Sequence, residues 1–213
     1  MKYRKYIIII ISILLFSLLI YFIKNNRIVK QHRAVEYSNM GMQLKEEGKY
    51  DKALEYLNKS IKYDPLDFIT YNNRGSVYEA LGQLEEAEKD YTRAIEINPK
   101  YSPAYNGRGH LMYIMGEFIK SIDDCSNAIK YDSTYFAAYS GRALSYYGIG
   151  KYEEALNDFN KSIELNENFG KAYINRGIVK YHIEDIDGAC DDWKKSIELG
   201  EELGEEYVNA YCD

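Results

Sequence analysis

Four arginines stand 34 residues apart in this sequence, Arg74, Arg108, Arg142 and Arg176, and four aspartates repeat at the same interval, Asp90, Asp124, Asp158 and Asp192. A guanidinium presents a rigid fork of donors that fits a carboxylate through two parallel hydrogen bonds. Two kinds of chemistry are open to such a ladder. Each Arg can close on its own Asp, a semi-buried pair that fixes the register of packed elements more than it adds stability. Alternatively, the row of Arg can read an acidic ligand. The first copy of the pattern favours pairing. It has Met40 and Tyr56 at the two places, so Arg and Asp appear together and vanish together. Pairs are expected within a copy: Arg74 with Asp90, Arg108 with Asp124, Arg142 with Asp158, Arg176 with Asp192. Pairing across copies would strand Arg74 and Asp192.

Other reactive residue types are scattered. His32, His110 and His182 are far apart, His110 and His182 have no Cys or acid at ligand spacing, and the three Cys form no CxxC; no metal site is expected. No glycine-rich phosphate loop, GxSxG or glycosidase-like acid dyad is present, so neither a cofactor nor an enzymatic role is expected. Runs such as Glu85-Glu86 and Glu153-Glu154 read as solvated helix faces. The formal charge of −6 hides an asymmetry. The first 33 residues hold seven Lys/Arg and no acid, and the other 180 carry 20 bases against 33 acids. So acidic a body argues against nucleic acid as a partner, because phosphate binding needs a basic stripe.

The elements that position these groups recur. Tyr37, Tyr71, Tyr105, Tyr139 and Tyr173 fall 34 apart, and four residues beyond each stand Gly41, Gly75, Gly109, Ala143 and Gly177. Small residues there let two helices approach closely. Gly48, Gly82, Gly116 and Gly150 mark places where a residue without Cβ can take positive φ and stop a helix. The next segments carry Ala53, Ala87, Ser121, Ala155 and Ala189, with Leu57, Tyr91, Cys125, Phe159 and Trp193 four places on, as one buried helix face requires. Pro65 and Pro99 close the first two copies; Ser133, Glu167 and Glu201 stand there later.

This pattern resembles the tetratricopeptide repeat. The resemblance covers about 180 of the 213 residues, in five copies without insertion: 34–67, 68–101, 102–135, 136–169 and 170–203. Residues 204–213 keep the interval with Tyr207 and are expected to form a capping helix. The implied fold is all-α, a right-handed superhelical solenoid of five helix pairs plus the cap.

In this family the first helices line a concave surface that holds extended or helical peptides, so the resemblance implies a protein or peptide partner. Places two, five, six, nine, twelve and thirteen of each repeat should face it. The second repeat supplies Asn72, Asn73 and Ser76 there, and the third Asn106, His110 and Tyr113. The fourth supplies Ser140 and Tyr147, and the fifth Lys171, Asn175, Tyr181 and His182. Heat-shock co-chaperones of the family clamp a C-terminal carboxylate with Lys, Asn and Arg on successive first helices. Only Lys171 has a counterpart in that clamp, so a chaperone tail is not the expected ligand. A neutral groove of Asn and Tyr suits hydrogen bonding to a peptide backbone, with aromatic anchors. Two other readings stay open: polar residues that only solvate a concave face, and a structural subunit of an envelope or secretion assembly that uses its convex face.

Ahead of the repeats, residues 7–23 (IIIIISILLFSLLIYFI) are apolar and as a helix extend about 26 Å, close to the ~30 Å hydrocarbon core. They are expected to form a transmembrane helix between a basic tail, 1–6, and a basic juxtamembrane linker, 24–33. The run exceeds the apolar core of a cleaved signal peptide, and no small-residue cleavage site follows. Basic residues on the two flanks nearly balance. The short tail resembles a signal-anchor, which implies a single-pass membrane protein with its repeats outside the cytoplasm.

Cys190 falls on the second helix of the fifth repeat and Cys212 at the end of the cap. The ending GACDDWKKSIELG…YVNAYC is similar to the close of many bacterial tetratricopeptide proteins. A bridge would close a loop of about twenty residues, worth about 3 kcal/mol in the chain-entropy model, and would require an oxidising compartment. The alternative is two small buried thiols. Cys125 is expected to stay free.

Overall fold

A computed structural model describes the backbone of residues 2–212 and the side chains of residues 13–22 and 25–212. The described residues form eleven helices and no strand: α1 (Lys2–Glu46), α2 (Tyr50–Tyr63), α3 (Phe68–Ala80), α4 (Leu84–Ile97), α5 (Ser102–Ile114), α6 (Phe118–Tyr131), α7 (Phe136–Gly148), α8 (Tyr152–Leu165), α9 (Gly170–His182), α10 (Ile186–Glu198) and α11 (Leu203–Tyr211). From the end of α1 onward they pack as antiparallel pairs, α1 on α2 through α9 on α10, with α11 on α10. Successive first helices of the pairs also touch one another, α1 with α3, α3 with α5, α5 with α7 and α7 with α9. The second helices make their main contacts with the first helices on either side. The stack therefore curves with the first helices inside, as an all-helical solenoid.

Turn chemistry explains the regular pitch. Each first helix ends in a Schellman motif. Gly82 N donates to Glu79 O and Gln83 N to Tyr78 O, both at 2.9 Å, and the same two bonds recur at Gly48, Gly116 and Gly150. These glycines have φ between 71° and 77°. In the fifth repeat Glu184 holds the left-handed position at φ 66° and makes the same bonds. Each second helix up to α8 ends in an Asx-turn instead. The side chains of Asp64, Asn98, Asp132 and Asn166 accept from the backbone N–H two residues on, at 2.9–3.1 Å. That turn makes no use of the following proline, which is why Ser133 and Glu167 can stand where Pro65 and Pro99 do.

The core is a row of small clusters, several of which bridge neighbouring pairs. Leu57, Tyr91, Cys125, Phe159 and Trp193 are each at most 3% exposed. They press on the small residues of the first helix: a Cβ added at Gly41 would lie 2.6 Å from Leu57, and one at Gly177 would lie 2.5 Å from Trp193. Among the described residues no buried side-chain nitrogen or oxygen lacks a hydrogen-bond partner.

The N-terminal expectation is corrected. The backbone of residues 24–33 is helical within the 45-residue α1, which runs unbroken into the first repeat. Among the described residues no helix is long and apolar enough to cross a membrane. Of the expected span 7–23, the side chains of 7–12 and 23 lie outside the described residues. On the described residues the expected span is not borne out. This overturns the single-pass membrane location and the placement of the repeats that depended on it.

Candidate functional site

The Arg–Asp ladder lies between the helix rows. In all four pairs Arg Nε and Nη2 donate to the two carboxylate oxygens of the Asp sixteen residues on, at 2.6–2.8 Å. The Arg side chains are 16–23% exposed and the Asp 5–10%. Hydrogen bonding to Asp124 raises the pKa of Arg108, and Asp158 does the same for Arg142 against the cost of burial. A third bond escapes the sequence reading. Nη1 reaches back sixteen residues to the preceding repeat: Arg74 to Asn58, Arg108 to Thr92, Arg142 to Ser126 and Arg176 to Asn160. Each guanidinium thus ties one second helix, its own first helix and the next second helix. Tyr71, Tyr105, Tyr139 and Tyr173 lie 5.3–6.0 Å from these guanidiniums and add cation–π attraction. With three of its five donors committed, each Arg has little left to read an acidic ligand.

On the inner face the structure gathers some of the candidate groove residues and separates others. Ser76, Asn106 and His110 line one cleft of about 390 Å³, together with Lys45, Glu79 and Tyr91. Lys45 Nζ donates to Ser76 Oγ at 2.9 Å. Glu79 accepts from Tyr91 at 2.8 Å and faces His110 Nδ1 at 2.7 Å. The bond to Glu79 raises the His110 pKa, with burial and the charge of Lys171 opposing. Burial raises Glu79, and the bonds from His110 and Tyr91 outweigh it, leaving its pKa lowered. Burial first, then the charge of Glu79, pushes the Tyr91 hydroxyl up.

Farther along, Tyr147, Tyr181 and His182 form a second group. Tyr147 OH lies 3.2 Å from His182 Nε2, whose Nδ1 is 2.9 Å from Ile178 O. The Tyr147 and His182 rings are 5.3 Å apart, with Tyr152 beside both. Tyr113 packs on Phe118. Asn73 donates to Ser38, Asn72 and Asn175 are half-buried, and Lys171 is exposed at the start of α9. Ser140 is only 5% exposed.

Lys45 and Glu79 were missed, although both occupy the twelfth place that yields Tyr113, Tyr147 and Tyr181. The shared register was the available signal; the change from charged to aromatic side chains along it concealed the two residues.

At the C-terminal end Cys190 and Cys212 are joined by a disulfide with Cα atoms 5.8 Å apart. Cys125 is a free thiol, pushed up to about 12 by burial, and so stays protonated.

A family model described as tetratricopeptide repeat matches residues 68–101 and 136–169, and one described as TPR repeat matches 41–82. No curated protein matches the sequence. The fold is similar to that of pilF of Pseudomonas aeruginosa, with TM-score 0.75 and 17% identity over 81% of this chain and 79% of that one. It is similar to PilW, described as a widely conserved type IV pilus biogenesis factor, with TM-score 0.72 and 18% identity over 78% and 77%. YrrB, described as a TPR protein with an unusual peptide-binding site, gives TM-score 0.60 and 17% identity over 83% and 92%.

Proposed function

We propose that this chain, which matches tetratricopeptide-repeat models over residues 41–101 and 136–169, is a protein-interaction scaffold that holds a peptide along its inner face. The observation that carries this reading is the twelfth-place row. Lys45, Glu79, Tyr113, Tyr147 and Tyr181 recur at one register of five successive first helices, charged at one end and aromatic at the other. Carboxylate, ammonium, imidazole and amide groups around the cleft at His110 match a peptide's backbone and polar side chains. The ring cluster at Tyr147 supplies rigid apolar area that costs little entropy to order. No chemistry beyond binding is required of these groups.

A second reading, a subunit of a larger assembly engaged through its convex face, draws on the likeness to PilW. At 18% identity that likeness carries the fold alone, so the groove is preferred. The two separate in a pull-down from cell extract with the full chain as bait. Substituting Asn106 and Tyr147 with alanine should abolish capture of the partner, whereas substituting Asp123 and Lys120 on α6 should leave it. The opposite pattern would overturn the groove reading.

A further inference from the structure

The cap α11 packs on α10 through Gly204, Tyr207 and Val208, and one disulfide ties its far end to the body. Nine residues fall well short of what an isolated helix needs in water. Of these only Gly204 is fully buried. Tyr207 stacks on Trp193 at 4.9 Å, and Tyr211 lies 4.7 Å from Tyr181. Beneath them Trp193 is 1% exposed and is the only tryptophan in the chain. The Cys190–Cys212 bridge closes the far end of this helix, beside an open cleft of about 370 Å³ lined also by Ile186, Asp187, Asp191 and Lys194. Cys190 is 8% exposed and Cys212 is less buried. The sulfur within reach of an external thiolate is therefore that of Cys212.

We infer that the Cys190–Cys212 bridge is a redox latch: reduction by a dithiol releases α11 and uncovers Trp193 and Tyr181. A thiolate of the dithiol attacks the Cys212 sulfur, the S–S bond breaks, and its electron pair leaves on Cys190, which takes up a proton. The second thiolate of the reductant then displaces Cys212, so two electrons pass to the protein and the reductant ends as its own disulfide. Without the cross-link the open population of the cap rises about 100-fold in the chain-entropy model. Tyr181 lies on the inner face, so on the groove reading the C-terminal end of the groove changes with redox state. The latch itself rests only on the cap.

The experiment compares the full chain oxidised, reduced with dithiothreitol, and as the C212S variant. Trp193 fluorescence is an unambiguous reporter, because no other tryptophan contributes. Expected on reduction and in C212S are a red shift, at least threefold stronger acrylamide quenching, and amide exchange in residues 203–211 faster by about two orders of magnitude. The helicity of the repeats should be retained. Three results overturn the latch: quenching and exchange unchanged in both forms; a bridge that resists the dithiol until denaturant unfolds the chain; or general loss of helicity in C212S, which would make the bridge a staple.

Discussion

Breaking one rung of the Arg–Asp ladder should be costly, while removing the whole rung should not. In Asp158→Leu, Arg142 stays charged between α7 and α8 without its two carboxylate bonds. Stranding a buried ion costs roughly 3–5 kcal/mol. Arg142 is 21% exposed and keeps its bond to Ser126 and its stacking on Tyr139 and Tyr146, so the lower end applies, about 3 kcal/mol. Arg142→Met strands Asp158, 10% exposed, at a similar cost of about 3 kcal/mol. Independent effects would sum to about 6 kcal/mol, whereas the double variant should lose no more than about 2, because two apolar side chains replace the pair. Urea melts of the four proteins give the cycle. Arg142→Met should also speed amide exchange at the boundary of α6 and α7, since only the Arg reaches Ser126. Single losses below about 1 kcal/mol, or additivity within about 0.5 kcal/mol, would refute the pairing argument.

Three further outcomes are expected. Glu184→Gly should stabilise the chain by about 0.5–1 kcal/mol, read in the same melts, because it relieves a left-handed backbone that glycine adopts freely. Gly177→Ala should cost about 1–3 kcal/mol, because the new Cβ falls 2.5 Å from the Trp193 ring; the near-ultraviolet tryptophan signal should change with it. The Glu79–His110 pair should contribute stability only within a pH window. His110 is raised, so its share is fully present below the ordinary imidazole value near 6.5 and is lost as pH rises through the higher folded value. Glu79 is lowered, so its share is present above its ordinary value and is lost as pH falls through the lower folded one. An NMR titration of His110 should move down in Glu79→Gln.

What could be read in the sequence was whatever one residue type alone can do. Glycine at 48, 82, 116 and 150 announces positive φ, and Arg with Asp at matched intervals announces a fork and its acceptor. What could not be read was what several residue types do equally well. The Asx-turns use Asp or Asn, so they do not stand out from solvated polar surface. The back-bond of each Arg ends on Asn, Thr, Ser or Asn, alike only in offering an oxygen. Glu184 took a glycine's position because the two turn bonds hold it there, and neighbouring repeats, not its own residue type, were the clue.

The groove is tested most directly by photo-crosslinking from one residue on each face of the full chain. A benzophenone side chain in place of Tyr147 on the inner face should give a discrete adduct from cell extract, competed by unmodified protein, while the same group at Asp123 on α6 should give none. Adducts from position 123 alone would contradict the account and assign partner binding to the convex face.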